Sequence, residues 1–64
     1  MNLFLVKPKG RQRLWRVENR TRAGRVLGFW RCDSEEIARE LIFRVGAGKA
    51  PGFIARDLRV SAES

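Results

Sequence analysis

The sequence predicts a small α+β domain, in which one antiparallel sheet carries a single helix on one face. Three observations support this fold. Short apolar segments bounded by turn signals recur three times in the first half of the chain, an amphipathic segment with helical spacing follows, and a further short apolar segment comes last. Because the chain has 64 residues, it has room for one core, so residues 1–64 are expected to form one domain of order β-β-β-α-β.

The first two predicted strands cover residues 2–6 and 12–19. Between them, Pro8 fixes its own φ angle and Gly10 tolerates a positive φ, as a tight turn requires. Side chains of a strand alternate between the two faces of its sheet, so the second strand separates apolar from charged residues. Trp15 and Val17 share one face, and the other carries Arg16, Glu18 and Arg20.

A hairpin over residues 20–25 leads to the third predicted strand, residues 26–32. Gly24 is expected to take the positive φ that this turn needs. Phe29 and Trp30 are adjacent in the third strand, so each face receives one large aromatic ring. One of the two rings is therefore expected to lie outside the main core, and the sequence leaves open which one.

Residues 33–45 are predicted to form the helix. Asp33 is expected to cap it, with Glu36 completing a capping box three residues later. The apolar stripe has the spacing of one helix face and consists of Ile37, Ala38, Leu41, Ile42 and Val45. Phe43 lies almost opposite this stripe and is expected to pack under the following loop, the alternative being a partner interface. Gly46 is expected to end the helix.

Residues 53–60 are predicted to form the last strand, and residues 61–64 are expected to fray. Arg56 falls on the apolar face of this strand, which indicates an edge strand or a partly covered face. That apolar face carries Ile54, Leu58 and Val60. The preceding loop, residues 46–52, contains Gly-x-Gly-Lys, but it follows a helix and lacks the Ser or Thr of a phosphate-binding loop.

Positive charge is concentrated in the first half of the chain. The net charge is +7, but residues 1–32 hold nine basic residues and one acidic residue, whereas residues 33–64 hold five basic and six acidic residues. One cationic side is typical of a protein that binds a polyanion, because guanidinium groups fork onto phosphates. The predicted nucleic-acid-binding residues are Arg11, Arg13, Arg16, Arg20, Arg22, Arg25, Arg31 and Trp30.

Residues 13–45 carry a pattern found in one group of DNA-binding domains. It reads W-x-V, R-x-G-R, G-x-[FW] and an acidic helix start D-[ST]-x-E-x-A. The matching residues are Trp15, Val17, Arg22, Gly24, Arg25, Gly28, Trp30, Asp33, Ser34, Glu36 and Ala38. This layout resembles the AP2-type domains of plants and the arm-type DNA-binding domains of phage and transposon integrases.

That resemblance implies a three-stranded sheet inserted into the major groove, reading DNA with Arg and Trp side chains of its exposed face. The positions that correspond here are Arg13, Arg16, Arg20, Arg22, Arg25 and Arg31. The predicted strand over residues 53–60 departs from the pattern, because it adds an element after the helix.

The predicted function is nucleic-acid binding, with duplex DNA as the favoured partner, by an accessory or regulatory factor of a phage or mobile element. One alternative is a phage-encoded, anti-CRISPR-like inhibitor or adaptor that docks on a host nucleic-acid-processing complex. Another is an RNA-binding protein, since an exposed aromatic residue stacks on unpaired bases. A homodimer is a further possibility, because an exposed strand edge can pair with a second copy of the chain.

Catalysis, metal binding and a cofactor are not expected. The chain has no histidine and one cysteine, Cys32, so it lacks the ligands of a zinc site. Its helix carboxylates fit capping and solvated charge better than general acid–base chemistry. A lone cysteine fits a reducing cytoplasm, and the apolar start, residues 1–6, is too short for a signal peptide or a membrane span.

Overall fold

The computed structural model describes residues 2–63, which form one four-stranded antiparallel sheet and two helices. This confirms the predicted α+β class. The strands are β1 (Asn2–Val6), β2 (Trp15–Arg20), β3 (Val26–Cys32) and β4 (Ser61–Glu63), and the helices are α1 (Glu35–Gly46) and α2 (Pro51–Leu58). The strands lie in the order β1-β2-β3-β4, so each neighbours the next along the chain.

The first three strands follow the sequence prediction closely, although β2 begins later than expected, at Trp15. Gly10 and Gly24 take positive φ angles of 60° and 88°, as their turns require. The hairpin between β2 and β3 is closed by Thr21, whose N–H donates to the Arg25 carbonyl at 2.9 Å. The Thr21 hydroxyl accepts from the Arg25 N–H at 3.1 Å, which adds a second bond across the turn.

Helix α1 is capped by Ser34, not by Asp33 as predicted. Ser34 is the last extended residue before the helix, and its hydroxyl accepts a hydrogen bond from the Ile37 N–H at 3.2 Å. Gly46 is still helical, and the positive φ that ends the helix belongs to Gly48. The expected burial of Phe43 is also wrong, because its side chain is exposed.

The predicted strand over residues 53–60 is wrong, because α2 occupies most of that segment. Ile54 and Leu58 are four residues apart, a spacing that fits both a strand face and a helix face. Pro51 at the first turn favours the helix, and Arg56 is exposed on it. Ser61–Glu63 form β4 instead of fraying, and Ser64 lies outside the described residues.

The core lies between α1 and one face of the sheet. Its buried members are Val17, Cys32, Ala38, Leu41 and Ile54. Trp15 and Trp30 are half-buried against this cluster, and α2 joins it by packing on α1. Neither helix within residues 2–63 is long and apolar enough to cross a membrane.

Candidate nucleic-acid interface

The sheet face opposite α1 collects arginine and phenylalanine side chains around one glutamate. In the strand register Glu18 lies between Phe4 of β1 and Phe29 of β3, and Arg16 lies opposite Arg31. Residues directly opposite in an antiparallel pair share a face. We call this surface the open face. On β1 to β3 it comprises Phe4, Arg16, Glu18, Arg20, Phe29 and Arg31, and in the register of β4 Ser61 lies opposite Arg31 and Glu63 opposite Phe29.

Glu18 is buried at the centre of the open face, with 7% of its surface exposed. Arg16 Nη2 lies 3.0 Å from Glu18 Oε2, and Arg20 Nε donates to Glu18 Oε1 at 2.9 Å. Each carboxylate oxygen therefore holds one guanidinium group. Charge-assisted bonds of this kind offset the cost of removing the carboxylate from water.

The rings of Phe4 and Phe29 also contact arginines of the open face. The Arg16 guanidinium lies 3.8 Å from the centre of the Phe29 ring, and Arg31 lies 5.7 Å from it. Arg20 lies 4.8 Å from the centre of the Phe4 ring. These are cation–π distances, so the open face presents arginines whose positions are set by a carboxylate and by ring faces.

A shallow groove of about 280 Å³ adds a fourth arginine to this arrangement. It brings Arg13, from the loop before β2, next to Arg16, Arg31 and the Phe29 ring. The Nε atom of Arg16 is buried there without a hydrogen-bond partner among the described residues. Three of the predicted binding residues thus line one recess, and a positive recess of this kind suits a phosphate group.

The remaining predicted arginines lie in the two loops at the ends of β2. Arg22 and Arg25 are exposed in the hairpin that follows β2, and Arg11 is exposed in the loop that precedes it. These loops flank the open face because β2 runs through its centre from one loop to the other. The structure therefore brings the seven predicted arginines to one face and its two ends.

Trp30 is the one predicted site residue that lies neither on the open face nor in the loops at its ends. It pairs with Val17 on the side covered by α1 and packs against the core. Phe29 takes the open position instead, which settles the alternative that the sequence left open. The signal was Cys32: a buried residue at the end of β3 places Trp30, two residues earlier, on the same covered face.

Sequence reasoning also missed Phe4 and the role of Glu18. Phe4 was part of an apolar strand whose two faces were not separated, and it is 46% exposed. Glu18 is expected from the sequence on the same strand face as Arg16 and Arg20, with no role of its own. Its position between two arginines at i−2 and i+2 was the available signal, since such residues share a strand face.

Cys32 lies on the sheet face that α1 covers, and its thiol is unreactive at neutral pH. Burial, with a smaller contribution from Asp33, raises the pKa of its thiol from 9.0 to about 11. The reactive thiolate form is therefore scarce at neutral pH. Within residues 2–63, no three His, Cys, Asp or Glu side chains come together where they could hold a metal ion.

The features of this site come from the structure of the chain itself. No protein-family model, curated protein or solved structure matches the chain.

Proposed function

We propose that this protein binds duplex DNA through the open face of its sheet, with the hairpin and the loop before β2 contacting phosphates on either side. The observation that carries the proposal is the set of arginines fixed by Glu18 and by the two phenylalanine rings. A ribbon of two or three strands is narrow enough to enter a major groove. The resemblance to the AP2-type and arm-type domains points to the same mode of binding.

The distribution of charge pairing supports a polyanion as the partner. On the helices, Arg39 pairs with Glu35, and Arg44 pairs with two carboxylates. Residues 1–32, which include β1, β2 and β3, hold one acid, Glu18, and nine basic residues. Excess positive charge therefore remains on the sheet side, where it attracts phosphates and speeds association.

The aromatic rings favour a duplex over a single strand. Proteins that bind single strands stack unpaired bases on free ring faces. Here Arg16 covers Phe29, Arg20 covers Phe4, and Trp30 packs on the core. The guanidinium groups, not the rings, are the groups offered to a ligand, and they suit phosphates and guanine edges.

Glu18 is a positioning residue in this proposal. A carboxylate repels phosphates, but Glu18 is buried beneath the arginines that it holds. Fixing the side chains before binding lowers the entropy lost when they meet DNA. Removing Glu18 would raise the net positive charge while freeing Arg16 and Arg20, so charge and positioning can be separated experimentally.

The test is the salt dependence of binding to a short duplex, measured by fluorescence anisotropy. Five or six phosphate contacts predict a log–log slope of about −5. The Arg22→Gln, Arg25→Gln double variant should bind more weakly and lower that slope by about 2. The matched control is the Arg39→Gln, Arg56→Gln double variant, which removes the same charge from exposed positions on the helices.

Two results would overturn the proposal. A slope near zero would show that phosphates contribute little, and equal weakening by the two double variants would show that net charge alone matters. Tighter binding of a single-stranded RNA competitor would favour the RNA-binding alternative. Weak, unselective DNA binding combined with tight capture of one nucleic-acid-processing complex would favour the inhibitor or adaptor.

A further inference from the structure

The helices carry an exposed apolar surface that DNA binding does not use. Phe43 of α1 is 72% exposed and Phe53 of α2 is 74% exposed. Both rings border a groove of about 560 Å³ between the two helices. We call this surface the helix groove. Exposed apolar residues that cluster around a recess are typical of an interaction site, unlike apolar residues scattered singly over a surface.

We propose that a second copy of this chain occupies the helix groove, forming a homodimer with two-fold symmetry. In this dimer Phe43 and Phe53 of each copy pack into the groove of the other. A two-fold interface joins the same patch of both subunits, so the patch must fit itself. The helix groove meets this condition because it offers both the rings and the recess that receives them.

The charges around the groove favour a second copy over a charged partner. Two acids, Glu40 and Asp57, and two bases, Arg44 and Lys49, line it. Arg44 already bonds both acids, with Nε 2.8 Å from Glu40 Oε1 and Nη1 2.6 Å from Asp57 Oδ2. A groove with no net charge attracts neither a polyanion nor a polycation, whereas it lets an identical groove approach without repulsion.

The rest of the molecule restricts where two copies can meet. Each chain carries a net charge of +7, and the excess lies in residues 1–32. Two copies facing each other with that half would repel. The helix groove belongs to residues 33–64, whose six acids and five bases nearly balance. Two copies that meet through the helix groove therefore keep the positively charged halves of the chain away from the interface.

The dimer and the proposed DNA binding can fail independently. Helix α1 packs on the sheet face opposite the open face, so a dimer formed through the helices leaves both open faces uncovered. The apolar contact should persist at high salt, where the phosphate contacts weaken. The dimer is therefore tested without DNA, in high salt.

The experiment is sedimentation equilibrium from micromolar to millimolar protein. We expect the mass to rise with concentration from that of the 7.4 kDa monomer toward twice that value. Phe43→Asp and Phe53→Asp should each raise the dimer dissociation constant at least about tenfold. The matched control is Leu27→Asp, because Leu27 is also an exposed apolar residue, 55% exposed, but lies on β3.

A monomer at every concentration would overturn the proposal, as would an equal loss of association in Leu27→Asp. Circular dichroism verifies that each variant keeps its fold, and Phe43→Ser replaces Phe43→Asp if it does not. A monomeric protein that captures a different protein through these same two rings would show that the groove serves another partner, and would also overturn the homodimer.

Discussion

Val17 and Glu18 are neighbours in β2, and both are buried, yet by opposite means. Val17 faces α1 and is covered by apolar side chains of the core. Glu18 faces the other way, where arginines and phenylalanine rings cover it. The two faces of β2 are therefore stabilised differently. Burial of apolar area stabilises the covered face, and paired charges stabilise the open face.

The two faces should respond differently to the same perturbation. Apolar burial depends on area and volume and is insensitive to modest changes in salt. Ion pairs and cation–π contacts that are partly exposed weaken as salt screens them. About a third of each side chain of Arg16 and Arg20 is exposed, at 33% and 34%. Substitutions on each face, measured at low and high salt, can therefore test whether this division holds.

The largest loss of stability is expected from Leu41→Ala on the covered face. Leu41 is fully buried beneath α1, so the variant leaves a cavity and should lose about 3 kcal/mol of unfolding free energy. The loss should be the same at low and high salt. Urea denaturation measures it, with the exposed Arg39→Ala on the same helix as the control, expected to cost about 0.5 kcal/mol. Equal losses in the two variants would mean that α1 does not seal this face.

On the open face, Glu18→Gln should cost about 2 kcal/mol at low salt, because two guanidinium groups lose their carboxylate while still partly desolvated. High salt should reduce this loss. The matched control is Glu35→Gln, whose pair with Arg39 is exposed on α1 and should be worth about 0.5 kcal/mol. Equal losses of unfolding free energy in the two variants would mean that Glu18 contributes no more to stability than an exposed surface ion pair.

The elements with one consistent pattern were predictable, and so were the arginines. Strands β1 and β3 are short apolar segments bounded by turn signals, and helix α1 combines a periodic apolar stripe with a cap signal. The placement of Arg16 and Arg20 followed from alternation along β2, because Val17 pointed to the core and fixed the opposite face.

Helix α2 and the two aromatic positions were not predictable by the same reasoning. Ile54 and Leu58 satisfy helix and strand spacing equally, so the choice depends on Pro51, which favours a helix start, and on the packing of this segment on α1. The choice between Phe29 and Trp30 depended on which face of β3 the helix covers. The cluster around Glu18 joins three strands, so it depends on the register between them, which alternation within one strand does not determine.

Cys32 offers a pH test of the covered face. Its pKa is raised from 9.0 to about 11 by burial and by Asp33, so the folded state keeps the thiol protonated while the unfolded state loses the proton. Stability should therefore fall as pH rises from about 9 toward 11, by roughly 1 kcal/mol at pH 10. Urea midpoints measured across this range test it against Cys32→Ala, in which this part of the pH dependence should vanish. An unchanged slope in that variant would mean that the thiol is accessible to water.

The smallest effect expected on the open face comes from its rings. Phe29→Leu keeps most of the apolar area but removes the ring that Arg16 contacts at 3.8 Å, and should cost about 1 kcal/mol. Phe4→Leu removes a ring that Arg20 contacts at the longer distance of 4.8 Å, so it should cost about 0.5 kcal/mol. A double-mutant cycle of Phe29→Leu with Arg16→Gln isolates the pair from general packing. A coupling energy near zero would mean that the ring only fills space, and that Glu18 alone holds the arginine in place.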